Sequence, residues 1–113
     1  MKDFATGSVA GTGAAIIISV GWVPDYVKCV NVADAGNLDP VMEWFAAMGA
    51  GKGLKYLRVA DNATTGNLSH RIVTTNGITA FAGSQTAAPG FTIGTDSDLN
   101  TASETIIWIA FRA

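Results

Sequence analysis

Charge is what this chain has least of. Only 14% of its 113 residues are Asp, Glu, Lys or Arg, and the formal net charge is −2, whereas an average soluble domain carries roughly 25% charged residues. The seven Lys and Arg residues form no run, and Lys52, Lys55 and Arg58 are the nearest approach to a basic stripe. That argues against nucleic acid as a partner. Cysteine occurs once, as Cys29, so no internal disulfide can form and the thiol content does not point to secretion. The longest purely apolar run, Ala14 to Ile18, falls far short of the ~20 residues of a membrane-spanning helix. Met1-Lys2-Asp3-Phe4 lacks the apolar centre and cleavage site of a signal peptide. The expectation is a chain made and folded in a reducing cytoplasm, with neither nucleic acid nor membrane as a partner.

What the chain has is apolar: 49% of its residues are hydrophobic and the mean hydropathy is +0.31. So little charge on so small a body implies that some of its surface is covered by neighbouring subunits. A mass of 11.7 kDa fits one domain that can bury a core without disulfides or metals.

Thirteen glycines separate short runs rich in β-branched and aromatic residues, the pattern of many short strands joined by turns. Ala14 to Val20 reads as a central strand covered on both faces. It is broken at Gly21 to Asp25, where Pro24 cannot donate a ladder hydrogen bond. From Tyr26 to Ala33 the chain alternates, with Val27, Cys29 and Asn31 on one side and Lys28, Val30 and Val32 on the other. Asp34-Ala35-Gly36-Asn37 is a turn. Residues 40–48 fit both a helical and a strand period, and their shortness and strand neighbours favour a strand. Leu54 to Ala60 is a strand and Asp61 to Asn67 a loop. Ser69 to Thr75 and Ile78 to Ala82 read as a hairpin about Asn76-Gly77. Gly90 to Gly94 runs through a polar Asp/Asn turn and returns as the closing strand Glu104 to Phe111. The expected fold is all-β, a single compact β-sandwich of jelly-roll type with about seven to nine short antiparallel strands, or else a small barrel.

Reactive chemistry is sparse. His70, the single histidine, has no identifiable triad around it, and Cys29 occupies the place of a small buried apolar residue. Asp96-Ser97-Asp98-Leu99-Asn100 begins like a calcium loop, but Thr101 stands where a turn glycine is needed and Ile107 where a bidentate Glu would close the site. Asp and Asn stabilise turns by themselves. Gly11-Thr12-Gly13 and Gly49 to Gly53 lack the phosphate-loop pattern. Trp22, Trp44 and Trp108, with Tyr26 and Tyr56, fit a sugar-stacking platform or, more simply, core and interface anchors. The glycosylation patterns at Asn62 and Asn67 have no meaning without secretion. The reading is a protein that is not an enzyme and uses no cofactor or metal.

Taken in order, Gly11-Thr12-Gly13, a strand, Gly21-Trp22-Val23-Pro24-Asp25-Tyr26-Val27-Lys28 and Asn31 resemble the opening of β-sandwich modules in tailed-bacteriophage virion proteins. Thr75 to Thr79, Gly90 to Gly94, Asn100 and the aromatic strand Ile107 to Phe111 resemble their second half. The likeness runs from about Gly7 to Phe111. It implies a virion protein of the outer capsid surface: a decoration, or cement, protein that binds the major capsid protein as a homotrimer and stabilises the shell. The alternative is a carbohydrate-binding adhesion module of a fibre or tail. A start at Met1, an end just after the closing strand and a short 61–67 loop favour the decoration protein. Met1, Lys2, Asp3 and Phe4 are the candidate contact residues, in an arm of residues 1–5 that precedes a domain of residues 6–113 and docks on the capsid or a neighbouring subunit, unless it is a frayed terminus.

Overall fold

The computed structural model describes residues 3–33, 39–60 and 67–113. Met1 and Lys2 of the expected arm, the expected turn at Asp34 to Asn37 and residues 61–66 of the expected loop lie outside the described residues. The chain is all-β. Its strands are β1 (Asp3–Ala10), β2 (Ile16–Ser19), β3 (Tyr26–Asn31), β4 (Val41–Phe45), β5 (Lys52–Ala60), β6 (Asn67–Phe81), β7 (Gly90–Ile93) and β8 (Thr105–Arg112). All pair antiparallel.

They form one eight-stranded sheet in the order β1-β8-β3-β4-β5-β6-β7-β2, not the two sheets of a sandwich. The sheet curls into a half-barrel. Phe91 of β7 and Trp108 of β8 lie five places apart in the strand order, yet their rings meet edge to face at 5.5 Å across the interior.

Alternation decides which residues enter that interior. Val27, Cys29 and Asn31 point inward from β3, and all are buried; Met42 and Trp44 do the same from β4. Phe91, Ile93, Ile106, Trp108, Ala110 and Ile78 complete the enclosure. Each large apolar side chain removed from water in this way contributes about 1.5–3 kcal/mol. In the ambiguous segment the two periods divide the residues between them: 41–45 are strand, and Ala46–Met48 form one 3-10 turn, closed by the Trp44 indole N–H donating to the Gly49 carbonyl at 2.9 Å.

Several local expectations change. Ala14 to Val20 does not make a central strand: β2 is the sheet's outermost strand, and Ile17 is 51% exposed. Asp3 to Ala5 are not a separate arm, because they are the first three rungs of the β1–β8 ladder, opposite Arg112, Phe111 and Ala110. Asn76-Gly77 does not turn a hairpin. β6 runs through it continuously, pairing first with β5 and then with β7. Gly53 lies opposite Val73 and its neighbour Lys52 opposite Ile78, so residues 74–77 bulge out where the sheet bends. Asn76 takes the left-handed conformation there, with φ 61°, so its tolerance of positive φ serves a bulge instead of a turn. Gly77 must lack a side chain because a Cβ would lie 2.3 Å from the Lys52 carbonyl oxygen.

β7 and β8 are likewise not a hairpin. Residues 94–104 cross from one limb of the half-barrel to the other, and polar side chains fasten them in place. Asn100, 1% exposed, donates from Nδ2 to the Ala14 and Gly94 carbonyls at 2.7 and 2.9 Å. Its Oδ1 accepts from the Thr12 and Gly13 N–H groups at 2.9 and 3.2 Å. Asn31 donates to the Leu99 carbonyl at 3.1 Å and to Glu104 Oε1 at 2.8 Å. Held this way, Leu99 drops into the core.

Asn100→Ala strips four backbone groups of their partner and is expected to cost about 2–4 kcal/mol. Urea unfolding should show an earlier midpoint; an unchanged midpoint would remove Asn100 from this role.

Candidate functional site

The Asp96 to Asn100 segment, read as a turn, is one. Asp96 Oδ1 accepts from the Asp98 and Leu99 N–H groups at 3.1 and 3.0 Å, as a turn-capping Asp does. The remaining carboxylate charge faces Lys55, whose Nζ bonds Asp96 Oδ2 at 2.8 Å and Asp98 Oδ2 at 2.6 Å. Lys55 is an inward residue of β5, only 5% exposed. Its burial alone would lower its pKa; the bonds to Asp96 and Asp98 outweigh this and raise it. The sequence had given Lys55 no partner, because the pairing spans 41 positions.

Other candidates also resolve into structure. Cys29 is fully buried, and burial pushes its thiol up to about 12. His70 is exposed on β6 with its ring 5.9 Å from that of Tyr56. Of the proposed sugar platform, Trp44 and Trp108 are in the core, leaving Trp22 half-buried under the Arg112 guanidinium at 5.6 Å. Among the described residues, no group of three or more His, Cys, Asp or Glu is arranged to hold a metal ion.

What remains is the convex face of the sheet, and it is unusually apolar. The register aligns its side chains in rows across the strands. One row is aromatic: Phe4 opposite Phe111, Phe111 opposite Tyr26, Tyr26 opposite Phe45. Successive ring centroids are 5.4, 5.5 and 5.2 Å apart, and Phe4 and Phe45 are 52% and 48% exposed. Two residues along, the next row runs Thr6, Ile109, Lys28, Glu43, Leu54 and Ile72; the third runs Ser8, Ile107, Val30, Val41, Tyr56 and His70. Ile72 and Ile107 are 60% and 44% exposed. Lys28 and Glu43 are the only Lys, Arg, Asp or Glu residues in the three rows.

Glu43 is held at the centre. The Tyr26 hydroxyl donates to its Oε2 at 2.5 Å and the Tyr56 hydroxyl to its Oε1 at 2.7 Å. These bonds, Tyr26's first, with help from the Lys28 charge, hold the Glu43 carboxyl below its ordinary pKa. Tyr26 is raised in turn, by burial first and by Glu43 second; Tyr56 is raised by its bond to Glu43.

Sequence reasoning missed this face, although alternation carried the signal. The outward positions of β8, β3 and β4 include Ile107, Ile109 and Phe111, then Tyr26 and Val30, then Val41 and Phe45, with Lys28 and Glu43 the charged exceptions, where a solvated face would be largely polar. Of the four candidate contact residues, Phe4 lies on this face as the end of the aromatic row, and Asp3 is bonded to Arg112 Nε at 2.8 Å.

No known protein family, curated protein or solved structure matches this chain. Of the motif residues quoted above for the phage resemblance, Gly11, Thr12, Gly13, Asn31, Gly94 and Asn100 belong to the network that holds the crossover.

Tyr26 keeps its proton to higher pH folded than unfolded. Its contribution to stability is therefore complete below about pH 10 and is lost as the pH rises through the raised folded value. Glu43 has the opposite sign, contributing above the ordinary carboxylate range and failing as the pH falls through its lowered value. Tyr26 and Tyr56 are the only tyrosines, so tyrosinate absorbance follows both directly. Both should ionise above the ordinary range, and Glu43→Gln should bring Tyr56 back toward it; two ordinary titrations in the folded wild type would refute the clamp. Cys29 is expected to resist a thiol reagent in mildly alkaline buffer until the chain unfolds, and prompt labelling of the folded protein would contradict its burial.

Proposed function

We propose that this chain is a head decoration protein of a tailed bacteriophage, binding the outer surface of the assembled capsid and stabilising the shell. The observation that carries the reading is the convex sheet face, three rows deep and up to six strands wide, with only Lys28 and Glu43 charged. A contiguous apolar surface of that kind marks an interaction site, since monomeric proteins rarely leave one open. The ordered phage-type motifs supply the context in which such a surface works.

The work is done by binding energy. A protein that binds the joined arrangement of capsid subunits, and loses those contacts when they separate, shifts the equilibrium toward the intact shell. Self-association, which the resemblance implies as a homotrimer, multiplies each weak capsid contact by holding the others nearby. Nothing in this activity needs a nucleophile, a general base or a metal, and the buried Cys29 and exposed His70 take no part in it. The sugar-binding alternative has less to stand on, because two of the three tryptophans meant for it line the core.

The test is addition of the purified protein to heads that lack it. It should sediment with the heads and raise the temperature at which they rupture, and a polar substitution on the convex face, Ile72→Ser, should weaken both effects. No co-sedimentation, together with specific binding on a host glycan array, would replace this reading with the adhesion module.

A further inference from the structure

We propose that the open edge of β1 takes an extended segment of the capsid protein as a ninth strand of the sheet. The inference rests on the decoration reading, and it adds to the convex face a second contact made by main-chain groups.

A sheet that does not close on itself has two edges, and here they are β1 and β2. They are not equally open to pairing. β2 has four residues, and so short an edge is a poor template for another chain. β1 has eight, in unbroken register with β8 from Asp3 opposite Arg112 to Ala10 opposite Thr105. At about 3.4 Å per residue its edge runs roughly 27 Å. The devices that keep an edge from joining other chains are missing from it: β1 has no proline, no lysine and no bulge. Its single charge, Asp3, is already bonded to Arg112.

The main-chain groups of this edge can be assigned one by one. In an antiparallel ladder, alternate residues exchange both of their bonds with the neighbouring strand, and the residues between them point both groups away. Gly11 N–H donates to the Glu104 carbonyl at 2.8 Å, one place beyond the pairing of Ala10 with Thr105. Across β8, Val32 N–H donates to the Thr105 carbonyl at 3.0 Å, so Thr105 bonds toward β3 and Ile106 toward β1. Together these bonds commit Asp3, Ala5, Gly7 and Val9 to β8. They turn the N–H and C=O groups of Phe4, Thr6, Ser8 and Ala10 to the open side, where no backbone bond to them occurs among the described residues. Four donors and four acceptors in a row are a template for one more strand.

The surroundings of the edge say what that strand is. It continues the rows of the convex face by one place, beside Phe4, Thr6 and Ser8, which are exposed on that face. The segment it suits is therefore uncharged, with apolar residues on the side that joins the convex surface. A second copy of this chain fits less well. Its β2 has half the residues of β1, and β1 against β1 makes a twofold where the resemblance implies a threefold. A capsid segment has neither limit. Its hydrogen bonds also fix the direction and register in which the protein sits on the shell, which the non-directional attraction of an apolar face leaves undetermined.

Ser8→Pro separates this edge from the rest of the molecule. The Ser8 N–H points outward, so proline removes no bond of the β1–β8 ladder and the chain should fold, whereas an added strand loses a donor and meets the ring. Co-sedimentation with heads should weaken about tenfold or more, because one partner carbonyl is left unpaired. Ser8→Ala keeps the N–H and should bind like the wild type; an equal loss there would place the effect in the side chain and overturn the proposal. Circular dichroism checks folding. Should Ser8→Pro unfold, hydrogen exchange on the wild type carries the test: about half of the β1 amides should exchange quickly in the free chain and become protected on heads. A folded Ser8→Pro that binds heads as the wild type does, or β1 amides that exchange as fast on heads as off them, overturns the proposal and leaves the decoration reading standing. A wild type that does not sediment with heads overturns both. Light scattering on the chain alone tests the other occupant: if Ser8→Pro dissociates an oligomer that the wild type forms, the edge joins copies of this chain and the capsid strand is refuted.

Discussion

The side chain of Asn100 is the point on which the architecture turns. Its amide holds the Ala14 and Gly94 carbonyls and the Thr12 and Gly13 N–H groups. That joins the β1–β2 connection, the end of β7 and the crossover to β8. A single continuous sheet has no second sheet to hold it shut, so its two limbs stay together only if the interior attracts them and something spans the gap. Leu99 supplies attraction from the crossover, and Asn100 supplies the span. A carboxamide is suited to this because it carries two donors and an acceptor on one small planar group. Asn31 and the buried Lys55–Asp96 pair secure the same segment from β3 and β5.

Curling leaves this protein with two apolar faces. The concave one is closed on itself and holds Trp44, Phe91 and Trp108. The convex one is open, and the same β-branched and aromatic residues that favour strands cover it. The electrostatics differ accordingly. Inside, Lys55 meets two carboxylates; outside, Glu43 is bonded by neutral hydroxyls and keeps its negative charge beside Lys28. The inner ion pair is buried, whereas the outer charges lie on the open face, where Lys28 and Glu43 offset each other.

The sequence was legible where a property is local. Strand positions followed from β-branched runs, the inward set Val27, Cys29 and Asn31 followed from alternation, and low charge agrees with an apolar convex face. What failed was pairing. Asn76-Gly77 was expected to turn because positive φ is common in hairpins, but the same conformation serves a bulge, and only the neighbours Gly51 and Gly94 distinguish the two: Gly77 N–H donates to Gly51 at 2.9 Å and its carbonyl accepts from Gly94 at 3.0 Å. β2 was taken as central because Ile16-Ile17-Ile18 is apolar throughout, which does not separate burial by the fold from a bare edge. The convex site escaped notice for a related reason. Its Glu43 clamp joins three strands, and no spacing along the chain relates residues 26, 43 and 56.

β8 follows every other strand in the sequence, yet it lies second in the sheet, between β1 and β3. Its partners in β1 are about a hundred positions away, as with Asp3 opposite Arg112. Contacts of such separation are slow to form, because the loop entropy is lost before the pairing rewards it. As the chain emerges during synthesis, β1 and β3 must wait with unpaired backbone until Thr105–Arg112 arrives between them. The aromatic row is completed at the same moment, since Phe111 links Phe4 to Tyr26. The continuous apolar convex surface is thus a late product of folding, and a chain cut short before its eighth strand never presents it.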